Sequence, residues 1–317
     1  MNLRLILLLA SATLFMTAEG QVNRFYHQNA IFSEDIKSVR FHRAGFELSN
    51  PVMALDEDAR LVFKFDDLSG KVKRYYYTVL HCDAGWNESF IRQSEYIDGF
   101  PDNPIDDYAR SFNTTFSYVN YYLELPNERI RFKTSGNYIL LVYEDNNKDK
   151  LVLSRRFYIT EPLVTVEATV RRATTDAFKG ENQEVDFVVY HEKLRIENPR
   201  DEVKVVVMQN NRWDNAVKNL KPLFIQQNRL VYDYGRENVF KAGNEFRYFD
   251  TRNYRVNGEG VAETSFHRPY YHVTLFPGEV RAGKPYFPYE EMNGKFVVES
   301  QERVTDYDLE CDYQFVH

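Results

Sequence analysis

Seven histidines are scattered along the 317 residues, and His81, His191, His267 and His272 are the four best placed for chemistry. No pair has the i, i+4 helical spacing, or the strand spacing with a carboxylate, that holds a metal ion. His81-Cys82-Asp83 is the one tight cluster. A thiolate beside a cationic imidazole is a nucleophile, but neighbouring strand residues face opposite sides, so His81 and Cys82 would not converge. A structural strand end is the expected role. The acidic runs Asp56-Glu57-Asp58 and Asp145 to Asp149 are rich enough in carboxylate for calcium. Neither has EF-hand spacing, and such runs are ordinarily solvated loops. The sequence contains no phosphate-cradling glycine loop, no G-x-S-x-G elbow and no H-E-x-x-H. A pair of carboxylates for sugar hydrolysis is a property of the fold and stays open. These residues point to a protein that binds rather than catalyses, with no cofactor and no metal site.

The elements that must position these residues are strands. The chain holds 23 tyrosines and 24 phenylalanines, and its apolar residues recur with period two, the mark of half-buried strands. Leu61, Phe63 and Phe65 face one way while Arg60 and Lys64 face the other. Val119, Tyr121, Leu123 and Leu125 alternate with Tyr118, Asn120, Tyr122 and Glu124. Val164, Val166, Ala168 and Val170 alternate with Thr165, Glu167, Thr169 and Arg171, which predicts one core face and one wet face. Further strands are expected at 75–80, 138–143, 151–159, 185–190, 203–209, 230–234 and 270–276. Ser69-Gly70, Ser135-Gly136, Asn198-Pro199, Asn257-Gly258 and Pro277-Gly278 supply turns between them. The fold class is all-β, with tandem immunoglobulin-like antiparallel β-sandwich domains.

Residues 1–20 have the pattern of a signal peptide, with Arg4, an apolar run from Leu5 to Ala12, and the small residues Ala18 and Gly20 before the cleavage point. A first sandwich is expected over 21–160 and a second over 161–317, with the joint at Glu161-Pro162. Tyr307, Leu309, Cys311, Tyr313 and Phe315 alternate with polar residues up to the last position, so the second sandwich is expected to continue in a further C-terminal region. A net charge of -7 argues against nucleic acid or an anionic membrane as partner, since both require clustered Lys and Arg. The two cysteines, Cys82 and Cys311, are either bridged or separate buried thiols, and their number excludes a disulfide scaffold. Asn87-Glu88-Ser89 and Asn113-Thr114-Thr115 match the N-glycosylation pattern, relevant in a eukaryotic host alone. Trp86, Tyr118, Tyr122, Trp213, Tyr248, Tyr270 and Tyr271 exceed what two small cores need and suit protein interfaces and sugar platforms alike.

Five stretches occur in order: His81-Cys82-Asp83-Ala84-Gly85-Trp86-Asn87, Ser111-Phe112-Asn113-Thr114, Ser135-Gly136-Asn137-Tyr138, Gln209-Asn210-Asn211-Arg212-Trp213-Asp214-Asn215, and the run from Ala242 through Asn244, Glu245, Phe246, Arg247 and Tyr248 to Asp250. Together they resemble the plug protein family of the type 9 secretion system, from about Ile36 to the end of the chain. The resemblance implies a periplasmic protein, held at the outer membrane only through its partner, a very large β-barrel translocon whose periplasmic mouth it closes. It marks His81, Asp83, Trp86, Asn113, Asn210, Arg212, Trp213, Asn244, Glu245, Arg247 and Asp250 as interface or signature residues. Asn244, Glu245, Arg247 and Asp250 either face a partner or tie down a loop through hydrogen bonds to backbone. A carbohydrate-binding sandwich with a coplanar aromatic row is the alternative.

Overall fold

Side chains two apart on a strand share a face, so a strand with one apolar set must lay it against a second layer. The computed structural model describes residues 27–112, 114, 116–175, 180, 182–241, 247–268, 270–280, 292 and 294–297. The expectations at residues 1–20, Asn113, Asn244, Glu245, Cys311 and the strand Tyr307 to Phe315 lie outside the described residues. The chain falls into two units, one ending at Glu161 and one beginning at Pro162.

The strands of the first unit are β1 (Ala30–Ile31), β2 (Ile36–Arg43), β3 (Val52–Ala54), β4 (Leu61–Asp67), β5 (Tyr75–Cys82), β6 (Ile97–Gly99), β7 (Asn103–Pro104), β8 (Asp107–Arg110), β9 (Val119–Leu125), β10 (Ile130–Phe132), β11 (Gly136–Glu144) and β12 (Leu151–Thr160). One sheet runs β1-β12-β11-β5-β7, with β3 parallel to β12. The other runs β2-β4-β9-β8 and is antiparallel throughout. The alternation at Val119 to Leu125 is reproduced without a slip. Phe63, Phe65 and Tyr121 from one sheet share a core with Tyr75, Tyr138 and Phe157 from the other. Phe65 meets Tyr75 with ring centroids 5.2 Å apart, and Tyr75 meets Tyr121 at 4.8 Å. Large rings fill the ~10 Å between two sheets, and such a pair adds ~0.5–1.5 kcal/mol beyond its buried area. This packing explains the aromatic composition and makes the unit a two-sheet β-sandwich, compatible with the immunoglobulin-like arrangement.

The second unit contains β13 (Thr165–Arg172), β14 (Asn182–Tyr190), β15 (Val206–Val207), β16 (Val217–Lys218), β17 (Phe224–Gln226), β18 (Arg229–Tyr232), β19 (Val239–Lys241), β20 (Val261–His267) and β21 (Tyr270–Leu275). Its main sheet is β13-β14-β18-β17 with β19 added to β14, beside the pairs β15-β16 and β20-β21. Phe187, Val189, Leu220, Leu230 and Tyr232 form the core, covered by Ile196, Val203, Val205 and Val207.

Three local expectations are corrected. Val166 and Val170 were expected to face a core, yet they are 56% and 61% exposed because no described element lies over β13. The strand expected over 203–209 shrinks to β15, its valines capping the core individually. Asn198-Pro199 opens a helical turn at Pro199–Glu202 instead of reversing the chain, since proline is well suited to a first helical position.

Candidate functional site

Of the five stretches, the first and third meet in space. In the register of β5 with β11, His81 stands opposite Tyr138 and Cys82 opposite Asn137. His81 shares the inward side of β5 with Tyr77 and Val79, and its ring packs 5.1 Å from Tyr138 and 5.6 Å from Tyr96. Its Nδ1 lies 2.8 Å from Ser89 Oγ and its Nε2 3.1 Å from the Ser135 carbonyl. A Cβ on Gly136 would overlap that imidazole, which explains why glycine stands there. Cys82 faces away, as strand alternation requires. It is a free thiol, 2% exposed, and burial pushes its pKa up to about 12, which disfavours the thiolate that a nucleophile or metal ligand needs.

The loop after β5 is tied by Asp83. Its carboxylate accepts hydrogen bonds from the backbone N–H of Gly85 at 2.7 Å and of Asn87 at 2.9 Å, and its carbonyl accepts from Asn137 Nδ2 at 3.0 Å. Burial raises the Asp83 pKa, but these donors outweigh it and hold the carboxyl below its usual value. Trp86, counted among the surplus aromatics, is 4% exposed: its ring carries the Arg156 guanidinium at 4.2 Å and the edge of Tyr158 at 5.5 Å. Its carbonyl lies 2.7 Å from His27 Nδ1, and Arg156 donates to the His27 carbonyl at 2.6 and 2.9 Å. Partners so far away along the chain cannot be read from local sequence.

The second stretch closes the base of the β8-β9 loop. Ser111 N–H donates to the Tyr118 carbonyl, and Ser111 Oγ accepts from Tyr118 N–H, both at 2.9 Å. The fourth forms a turn in which Asn210 and Asn211 adopt φ of 54° and 58°, the left-handed region that asparagine tolerates. Arg212 chelates Asp214 at 2.6 and 3.1 Å, Asn215 donates to Gln209, and Trp213 lies under the Lys218 ammonium. In the fifth, Arg252 grips Asp250 in a two-pronged ion pair, and Arg247 donates to the Glu279 carbonyl. Asp250 and Arg247 are thus tied within their own unit, as are His81, Asp83, Trp86 and Arg212 in theirs.

One carboxylate of each acidic run is paired within the first unit. Glu57 pairs with Arg43, and Asp145 pairs with Lys150 at 2.9 Å and Arg74 at 3.7 Å. Among the described residues no three His, Cys, Asp or Glu side chains come together as metal ligands. Two charged clusters were invisible to sequence reasoning. Asp67, fully buried, accepts from Tyr75 Oη at 2.8 Å and Ser69 N–H at 2.9 Å and pairs with Lys73 at 3.2 Å. Burial raises its pKa, yet those three partners hold it below the usual carboxylate value. In the second unit Arg171 gathers Glu184, Asp186 and Asp233 at 2.8, 2.5 and 3.6 Å. Sequence reasoning also passed over Phe46, Phe90, Phe100 and Phe116, all exposed on loops, as is Phe112 of the second stretch. Single phenylalanines inside turn-rich stretches show no alternation that would flag them.

A two-sheet scaffold whose polar motifs knit its own loops is the class that these features define: an all-β sandwich protein. Residues 36–161 match the family described as type 9 secretion system plug protein, first domain. A solved crystal structure of a hypothetical protein from Parabacteroides merdae is similar to this chain, with 35% sequence identity and a TM-score of 0.78, over 87% of this chain and 70% of that one. No curated protein matches. The chain belongs to the type 9 secretion system plug protein family.

Proposed function

We propose that this protein binds the periplasmic opening of the outer-membrane type 9 translocon barrel and seals it, without catalysing a reaction. The observation that carries the proposal is the match of residues 36–161, which coincides with the aromatic-cored sandwich. A pore wide enough for folded cargo leaks solutes, so its closure calls for a stiff body. Register-locked sheets supply the stiffness and end loops supply the contacts. A seal that must leave again calls for an interface of moderate area, because obligate interfaces are large and apolar. A periplasmic location follows from the same reading, with residues 1–20 as the export signal. The carbohydrate alternative gains nothing from the exposed rings of Tyr254, Tyr271 and Phe266. Their planes are inclined by 38° and 46° to one another, whereas a sugar platform needs a flat row.

The test is affinity capture with the tagged full-length chain from detergent-solubilised outer membrane, alongside retention on polysaccharide. Recovery of the translocon barrel, identified by mass spectrometry, is expected. Retention on polysaccharide with no barrel recovered overturns the proposal.

A further inference from the structure

Alternate residues of β12 put Leu153, Arg155, Phe157 and Ile159 on one face of its sheet. Three of the four are core residues of the first unit, and the remaining one is a cation. The register of β12 with β11 sets Arg155 opposite Leu140, a fully buried member of the same core. Residues directly opposite share a face, so the stem of Arg155 starts inside the sandwich and its head must travel outward to find polar company.

That company is incomplete. Arg155 Nη1 donates to the Ala30 carbonyl at 2.9 Å and to the Ser154 carbonyl at 2.8 Å. No carboxylate among the described residues pairs with it, whereas Arg43, Arg129 and Arg171 each have one. Burial pushes the Arg155 pKa down to about 10, with no neighbouring charge to offset the effect, so the group is still a full cation at neutral pH. Arg156, on the opposite face of the strand, is satisfied differently, by the Trp86 ring and the His27 carbonyl. A largely buried charge is ordinarily paired, and Arg155 is the exception that asks for a partner.

The donors left over are well arranged for one. A guanidinium carries five N–H bonds in a planar fork, and the Nη1 pair is used on the two carbonyls. Nε–H and the neighbouring Nη2–H point the same way; among the described residues neither has an acceptor, and neither is sealed from solvent. β1, which supplies the Ala30 carbonyl, is the edge strand of its sheet, so the fork is approached from the open side of the sandwich. Anchoring Nη1 on two backbone carbonyls fixes the plane of the fork before any ligand arrives.

We propose that Arg155 is an anion-binding site and that its ligand is a small oxyanion, a phosphate or carboxylate group held side-on by Nε and Nη2. Two parallel N–H···O bonds to adjacent oxygens are the geometry for which arginine is suited and lysine is not. The ligand supplies the counter-charge that the fold leaves out, and it binds beside the junction of β1 and β12, which Arg155 already bridges through Ala30. The inference stands apart from the function proposed above, because the site is complete within the first unit.

The experiment titrates inorganic phosphate into the full-length chain at constant ionic strength, made up with chloride, and reads binding from the phosphorus NMR linewidth. Wild type should give a saturable isotherm with a Kd of about 1 mM, the strength that two charge-assisted hydrogen bonds support, and acetate should displace the phosphate. Arg155→Lys keeps the charge and loses the fork, so its binding should weaken at least about tenfold, and Arg155→Met should abolish it. Arg129→Lys, whose cation is paired with Asp106, should bind as wild type does. Hydrogen exchange verifies that each variant is folded, and should show phosphate raising protection in β1 and β12 of wild type alone; if Arg155→Met does not fold, Arg155→Lys decides. A wild-type response that never saturates, displacement by chloride as effective as by acetate, undiminished binding by Arg155→Lys, or an equal loss in Arg129→Lys overturns the site.

Discussion

Removing the Asp67 carboxylate is expected to destabilise the first unit selectively, with a pH signature. In Asp67→Ala the buried Tyr75 hydroxyl loses its acceptor, and Ser69 N–H loses its own. A buried polar group left unpaired costs ~1–3 kcal/mol, the Ser69 N–H regains some of this from water, and Lys73 keeps Asp35. The expected destabilisation is about 2–4 kcal/mol at pH 7, and about 1–2 kcal/mol for Asp67→Asn, whose amide oxygen still accepts one bond. The carboxyl sits below its usual value when folded. Its contribution is therefore complete above the unfolded pKa of about 3.9 and fades as pH falls through the folded value. The gap between wild type and variant should narrow accordingly from pH 5 towards pH 2. Urea titration read by pulsed hydrogen exchange in peptides from β4, β5 and β9 measures this without interference from the second unit. A midpoint unchanged at pH 7, or a gap that stays constant into acid, would refute the reasoning.

Gly136→Ala pushes a methyl into the His81 imidazole and should cost about 1–3 kcal/mol by overpacking. In a double-mutant cycle, His81→Ala should relieve part of that loss, and strictly additive effects would contradict the contact. Cys82 should resist iodoacetamide at pH 8 in the native chain and react once urea unfolds it, since burial raises its pKa to about 12. Mass spectrometry of the Cys82 peptide decides it, and rapid native labelling would refute the burial. Arg171→Ala leaves the fully buried Glu184 and its neighbour Asp186 without their cation. Exchange protection should then drop in β13 and β14, with β4 and β9 unaffected; unchanged protection in β14 would show the ion pair to be incidental.

Much of the scaffold was legible because strand alternation is a local property. Val119 to Leu125 and Leu61 to Phe65 were read with the correct inward set. Periodicity states which face is apolar, not what covers it, and β13 shows the difference: its valines alternate cleanly and stand exposed. Trp86 illustrates the converse, because the guanidinium and phenol that bury it come from β12, some seventy residues further along. His81 and Cys82 were correctly assigned to opposite faces, and the Asp83 loop was legible as a strand end. That the motif is held by a glycine on another strand was not legible, since Gly136 becomes its neighbour only through the register of β5 with β11. The charged clusters at Asp67 and Arg171 escaped notice for the same reason.

The central claim is closure of a pore, and conductance tests it most directly. Purified translocon is reconstituted in a planar bilayer and the full-length protein is added from the periplasmic side. The open-pore current should fall in proportion to occupancy and return when the protein is washed away. A current that persists at saturating bound protein would contradict it.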